Sequence, residues 1–162
     1  MQEKENIKNL GEIKKIIGDF KRKGRKVVWT NGCFDILHLG HAKYLKKAKE
    51  FGDVLIVGLN SDDSIKKIKG PNRPINNEND RAVLLSMLKP VDYVLIFSEQ
   101  DCCTQLKELR PDFYVKGGDY TIETINQKER KIIESYGGKV KLVPIVNGKS
   151  TTLTIDKIKN NH

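Results

Sequence analysis

Aromatic residues make up only 7% of the 162-residue chain, and it holds three histidines, three cysteines and five prolines. Each scarcity closes off a class of protein. Cys33, Cys102 and Cys103 form neither a C-x-x-C pair nor an even framework, and the two neighbours would bridge only with strain, so reduced thiols are expected. No apolar run approaches the roughly 18 residues that span a bilayer. The opening Met1-Gln2-Glu3-Lys4-Glu5-Asn6 lacks the apolar stretch of a signal peptide, so a cytoplasmic protein without a membrane partner is expected. The formal charge of +9 suits a polyanionic small ligand as well as nucleic acid, or merely reflects a lysine-rich genome. Few aromatics and no nucleic-acid reading motif argue against nucleic acid.

A content of 38% hydrophobic and 31% charged residues suits one globular domain of this length. Leu10, Ile13, Ile17 and Phe20 recur at helical spacing, so residues 1–25 are expected to carry an amphipathic helix packed on a main domain of residues 26–160. Five apolar, β-rich runs follow: Lys26–Thr30, Val54–Leu59, Tyr93–Phe97, Asp112–Val115 and Val140–Val143. Helical segments separate them. One opens at Gly40 with Tyr44, Leu45, Ala48 and Phe51 inward; one starts at Asn77 and carries Val83, Leu84, Met87 and Leu88. Another is capped by Asn126 with Glu129 three residues on, and the last opens at Ser150-Thr151-Thr152 with Ile155 and Ile158 on its inner face. The alternation predicts an α/β, Rossmann-like fold with a five-stranded parallel sheet covered by helices on both faces. Ligands of such sheets bind beyond the carboxyl ends of the strands, which directs attention to the loops after Thr30, Leu59, Phe97 and Val115.

The most specific signal stands at the first of those loops: Gly32-Cys33-Phe34-Asp35-Ile36-Leu37-His38-Leu39-Gly40-His41. Small residues at Gly32 and Gly40 let a nucleotide approach the backbone, and the amides at a helix start attract phosphate. His38 and His41, three apart, fall on one face of the first helical turn, where both imidazoles can donate to one phosphate group. The third histidine, His162, falls at the end of the sequence, so both internal histidines belong to this stretch. A zinc site would need a Cys or third His at ligand spacing, and none is present, so no metal ligands are assigned.

This stretch resembles the G-x-F-D-x-x-H-x-G-H signature of the cytidylyltransferase-like nucleotidyltransferases. The resemblance extends through Asn60-Ser61-Asp62, Lys66-x-x-Lys69-Gly70, Arg73-Pro74, Arg81, Val91-Asp92, Pro111-Asp112, Val115–Tyr120 and Ser150-Thr151-Thr152. Within the family it is most similar to the adenylyltransferase domain of the heptose-phosphate pathway. That resemblance implies transfer of AMP from ATP, with Mg2+, to a sugar phosphate, D-glycero-D-manno-heptose 1-phosphate. It also implies a separate sugar kinase upstream and a homodimer or larger homo-oligomer. The alternatives are a CTP-dependent cytidylyltransferase acting on glycerol 3-phosphate or a similar polyol phosphate, and a non-catalytic nucleotide- or nucleic-acid-binding protein.

Carried over residue by residue, the resemblance gives His38, His41, Lys69 and Arg81 as catalytic. It gives Asn31, Gly32, Cys33, Phe34, Gly40, His41, Lys116, Gly117, Gly118, Asp119, Ser150, Thr151 and Thr152 as nucleotide-binding. Asp35, Asn60, Lys69 and Arg81 are the acceptor side, although Asp35 serves equally well as the stabiliser of its own turn. Lys69 and Arg81 are expected to grip phosphates and offset the charge gathered at the transition state.

Overall fold

The apolar runs become the five strands of one parallel sheet, ordered β3-β2-β1-β4-β5. In chain order the elements are α1 Leu10–Arg22, β1 Val27–Gly32, α2 Leu39–Lys49, β2 Val54–Asn60, α3 Asp62–Lys69 and α4 Glu78–Ser86. There follow β3 Tyr93–Phe97, α5 Cys103–Leu109, β4 Phe113–Gly117, α6 Gln127–Ser135, β5 Lys139–Val143 and α7 Thr151–Asn160. This computed structural model describes residues 5–144, 148 and 150–160; His162 lies outside them. Expected strand positions hold to within two residues.

Successive residues of a strand point to opposite faces, and the two cores follow that rule. Val27, Trp29, Val54 and Ile56 pack with Ile13 and Ile17 of α1, Leu106 and Leu109 of α5, and Ile133 of α6. Val28, Leu55, Val57 and Leu59 pack on the other face with Leu45 and Ala48 of α2 and Ala82 and Leu85 of α4. Burial of both faces is why the strands read as unbroken apolar runs. An Asn9–Glu12 capping box starts α1, and its Ile13 and Ile17 are buried. Just ahead of it, Ile7 bridges Val94 in parallel and extends the β3 edge, a pairing too short to show in the periodicity.

Three expectations need correction. In α4 the buried face is Arg81, Ala82 and Leu85, whereas Leu84 and Met87 are 46% and 56% exposed. Apolar spacing misplaced that face because a buried arginine occupies it. In α7 Ile158 is 57% exposed and no residue is buried, so the helix has no inner face of the expected kind. Asn126 does cap α6, accepting from the amides of Lys128 and Glu129, but the Glu129 side chain turns into the protein instead of closing a capping box.

Gly58 in the middle of β2 has no room for a side chain: a β-carbon there would overlap the Trp29 ring and crowd Phe97. Both rings belong to the buried core. Gly58→Ala is expected to lower stability by about 1–3 kcal/mol through overpacking, read as a shift in the urea midpoint. An unchanged midpoint would show that the Trp29 ring can move aside.

Candidate active site

From β1 the chain runs outward to β2 and β3, then returns to place β4 on the other flank of β1. The order therefore reverses between β1 and β4, the point where parallel sheets open a crevice at their carboxyl ends. A cleft of about 540 Å³ lies there. It is lined by Asn31, Gly32, Cys33, Phe34, His38, Gly40, His41, Tyr44, Asn60, Ile68, Lys69, Gln100, Lys116, Gly117, Tyr120, Pro144, Ser150, Thr151 and Thr152.

The wall on the β1 side is a constrained turn. Phe34 has φ 44°, a left-handed conformation uncommon for a bulky residue, and its ring folds back over Gly32, whose absent β-carbon would lie 3.0 Å from it. Asp35 follows and is 2% exposed. Its carboxylate accepts the amides of Ile75 at 2.8 Å and Asn76 at 3.0 Å and the Arg73 Nε at 2.7 Å. Burial alone would raise its pKa; the amides of Asn76 and Ile75 and the Arg73 guanidinium outweigh that and hold it below the ordinary carboxylate value. The side chain that could have served the acceptor or its own turn is thus consumed by the turn and by the 73–76 loop.

Arg81 is the larger correction. Its side chain is fully buried and does not line the cleft. Nε donates to the Asn76 carbonyl at 2.9 Å, Nη1 to the Cys33 carbonyl at 2.6 Å and Nη2 to Asp62 Oδ1 at 2.7 Å. The expected phosphate grip is replaced by a bolt joining the signature turn, the 73–76 loop and the start of α3.

His38 is the N-cap residue of α2, and His41 sits in the first turn. Their rings stack with centroids 3.8 Å apart and planes 22° from parallel, and the Phe34 ring stands 5.2 Å from that of His41. Burial, the neighbouring His38 and the charge of Lys69, in that order, push the His41 pKa down from 6.5 to about 4. At neutral pH His41 is therefore an uncharged donor whose Nδ1 is buried with no hydrogen-bond partner among the described residues. Among the described residues the positive charge of the cleft comes from Lys69, the last residue of α3, and Lys116, whose ammonium lies 5.4 Å from the Tyr114 ring centroid and 5.8 Å from that of Tyr120. Burial raises the Cys33 pKa, so its thiol stays protonated and is no nucleophile.

On the opposite wall Ser150 caps α7, its Oγ accepting the Leu153 amide at 3.0 Å, and Thr151 Oγ1 donates to the Ile36 carbonyl at 3.3 Å. Asn60 reaches the cleft from the end of β2 while its amide nitrogen donates to Ser64 at 3.0 Å. Gly117 is necessary beside Tyr44, since a β-carbon would approach that ring to 2.5 Å. Gly118 and Asp119, expected to bind nucleotide, lie outside the lining. Tyr44, Ile68, Gln100, Tyr120 and Pro144 line the cleft and were not foreseen. Tyr44 had a readable signal: it lies three residues after His41 on the same helix face.

Residues 29–160 match the cytidylyltransferase-like family. The chain belongs to that family. It is a nucleotidyltransferase, similar to the bifunctional protein HldE of Geobacter metallireducens (52% identity over 152 residues, 94% of this chain) and to that of Sulfurimonas denitrificans (51% over 154 residues, 95% of this chain). The chain spans 31% of the length of each of these relatives. Among solved structures it is similar to the lipopolysaccharide core biosynthesis protein of Thermoplasma volcanium, with TM-score 0.62 and 37% identity over 78% of this chain and all of the other. Pantoate-beta-alanine ligase of Francisella tularensis shares the fold, with TM-score 0.60 at 17% identity over 96% of this chain and 76% of that one. No helix among the described residues is long and apolar enough to cross a membrane.

The depressed His41 pKa sets a pH dependence for this nucleotidyltransferase. Below pH 6.5 the unfolded chain takes up a proton that the folded state refuses until about pH 4, so stability declines as pH falls through that window and is unaffected above it. The expected slope from this one group is about 1.4 kcal/mol per pH unit at most. Urea midpoints between pH 7 and pH 4, compared with those of His41→Asn, measure it; parallel curves would refute the desolvation of His41.

Proposed function

We propose that this nucleotidyltransferase transfers AMP from ATP to D-glycero-D-manno-heptose 1-phosphate, giving ADP-heptose and pyrophosphate for lipopolysaccharide or a related surface glycan. The observation that carries the reading is the stacked His38–His41 pair on the opening turn of α2, inside a cleft whose charged side chains, among the described residues, are the cations Lys69 and Lys116. Similarity to the HldE proteins and to a lipopolysaccharide core biosynthesis protein supports the choice of acceptor. The acceptor's phosphate oxygen attacks the α-phosphorus of ATP in line; that O–P bond forms as the bond from Pα to the bridging oxygen breaks, and pyrophosphate leaves with the electron pair. A phosphate monoester is already an anion at neutral pH, so no general base is required. The two imidazoles donate hydrogen bonds to the α-phosphate oxygens as charge collects there, and Lys69 with Lys116 neutralises the triphosphate. Ser150, Thr151 and Thr152 face the triphosphate from the α7 start. Arg81 and Asp35 enter this scheme only by holding the turn.

Magnesium is proposed as the partner of ATP. Among the described residues no Asp or Glu lines the cleft, so the phosphates of the nucleotide and water would hold the ion, which neutralises the leaving pyrophosphate. The acceptor would come from a separate sugar kinase, with the chain working in the cytoplasm as a homodimer or larger assembly.

Pyrophosphate release with ATP or CTP, against a panel of heptose, other sugar and polyol phosphates, tests the substrates. ATP with the heptose phosphate is the expected pair. CTP with glycerol 3-phosphate would move the assignment within the family, and nucleic-acid binding without pyrophosphate release would abandon it. His41→Ala is expected to lower kcat by about 10²–10³-fold with far less effect on ATP affinity. Equal losses in both would remove His41 from the transition state.

A further inference from the structure

Behind the cleft, on the α6 side of the sheet, a carboxylate is buried where the sequence placed a helix cap. Glu129 is 3% exposed; its Oε1 accepts the Cys102 amide at 3.1 Å and lies 3.3 Å from the Cys102 thiol, and its Oε2 accepts the Tyr114 hydroxyl at 2.7 Å. The same phenol oxygen stands 3.0 Å from Asn31 Oδ1, and Asn31 lines the cleft at the end of β1. A continuous polar path therefore runs from α6 through β4 to a side chain that lines the cleft.

Counting protons gives the path a direction. The phenol has one proton and two oxygen acceptors within reach, so it serves one of them fully. The carboxylate is nearer and charged, and a charge-assisted bond is the stronger. The Cys102 thiol also lies 3.6 Å from Asn31 Oδ1 and from the phenol oxygen, but Glu129 Oε1, at 3.3 Å, is nearer and charged and takes its proton. The Asn31 carbonyl would then face an oxygen and a sulfur with nothing left to donate. A half turn of the amide exchanges Oδ1 and Nδ2 with almost no change of shape and converts that repulsion into an N–H donation to the phenol oxygen.

We infer that Glu129, acting through Tyr114, is a positioning residue that sets which end of the Asn31 amide faces the cleft: Nδ2 points inward to the phenol and Oδ1 outward to the nucleotide. This rests on the proposed reading that the cleft binds a nucleoside triphosphate, and it deepens that reading. An outward carbonyl selects a hydroxyl or amino donor on the nucleoside, whereas an outward NH2 would select an acceptor. Glu129 was unaccounted for as a cap, and it has a function here that needs both its charge and its burial.

Glu129→Gln tests the inference because the Cys102 amide fixes how glutamine lies. Its Oε1 keeps that bond, so Nε2 donates to the phenol oxygen, the phenol proton passes to Asn31 Oδ1, and the Asn31 NH2 turns outward. ATP KM is expected to rise about tenfold with kcat changed less than about threefold. In ligand-free protein the Asn31 side-chain NH2 resonances, assigned by 15N NMR, are expected to exchange slowly with water in the wild type and fast in Glu129→Gln. Tyr114→Phe, which removes the phenol, is expected to speed the same exchange. Fast exchange in the wild type overturns the inference and needs no variant. A folded Glu129→Gln with ATP KM within about twofold of wild type overturns it too. Should the wild type release no pyrophosphate with any sugar phosphate, the proposed reaction fails, while the ligand-free amide spectrum still decides the relay.

Discussion

The left-handed turn at Phe34 is the constraint on which the site depends. A bulky residue at φ 44° costs on the order of 1–3 kcal/mol and persists only where its surroundings over-determine it. Here the surroundings are buried and polar. Arg81 holds the carbonyl just before the turn, Asp35 just after it accepts two amides and the Arg73 guanidinium, and the Phe34 ring is 5% exposed. Removing either charged anchor would leave a buried partner unsatisfied, which is more costly than the turn itself. Gly32 belongs to the same device, because the ring can close over the strand only where no β-carbon stands.

With the turn fixed, the direction of α2 follows, and with it the imidazole pair. Tyr44 secures the helix one turn further on, its hydroxyl lying 2.5 Å from Thr30 Oγ1 and donating to the Val115 carbonyl at 3.0 Å. Those two strands flank the switch point, so the helix that carries His41 is tied to both sides of the crevice. Arg81 also reaches Asp62 at the start of α3, the helix that ends in Lys69. One buried guanidinium thereby sets the relative placement of the imidazoles and a cation that sequence reasoning treated as its equal partner.

That difference marks how far the sequence could be read. The strands were legible because each is apolar on both faces, and the cleft was legible because glycines and histidines at fixed spacing have few structural uses. Which charged residue touches ligand was not legible. Lys69, Arg81 and Asp35 look alike as polar residues near a signature, and only burial separates them: Arg81 and Asp35 are 1% and 2% exposed, with their polar atoms spent inside the protein. The same ambiguity misled the reading of α4, where a buried arginine occupies a core position, and of Glu129, where a capping pattern concealed an inward carboxylate. In each case a partner distant in sequence, Cys33, Asp62 or Tyr114, decided the outcome. Local pattern carries no information about such partners.

The distribution of charge follows the same logic. The net +9 suggested a polyanion, yet much of it sits in the final turns of helices: Lys21 and Arg22 in α1, Lys46, Lys47 and Lys49 in α2, Lys66, Lys67 and Lys69 in α3, Lys157 and Lys159 in α7. Cations there offset the negative ends of the helix dipoles. Of these, Lys69 alone lines the cleft, and Lys66 turns to Asp63 at 3.6 Å. For the proposed reaction this economy is consistent with the neutrality of His41. A charged imidazole beside Lys69 would repel it and would bind pyrophosphate product as tightly as substrate. An uncharged, desolvated N–H donor interacts most strongly where negative charge is still growing, at the α-phosphate oxygens of the transition state, and so favours that state over the ground state.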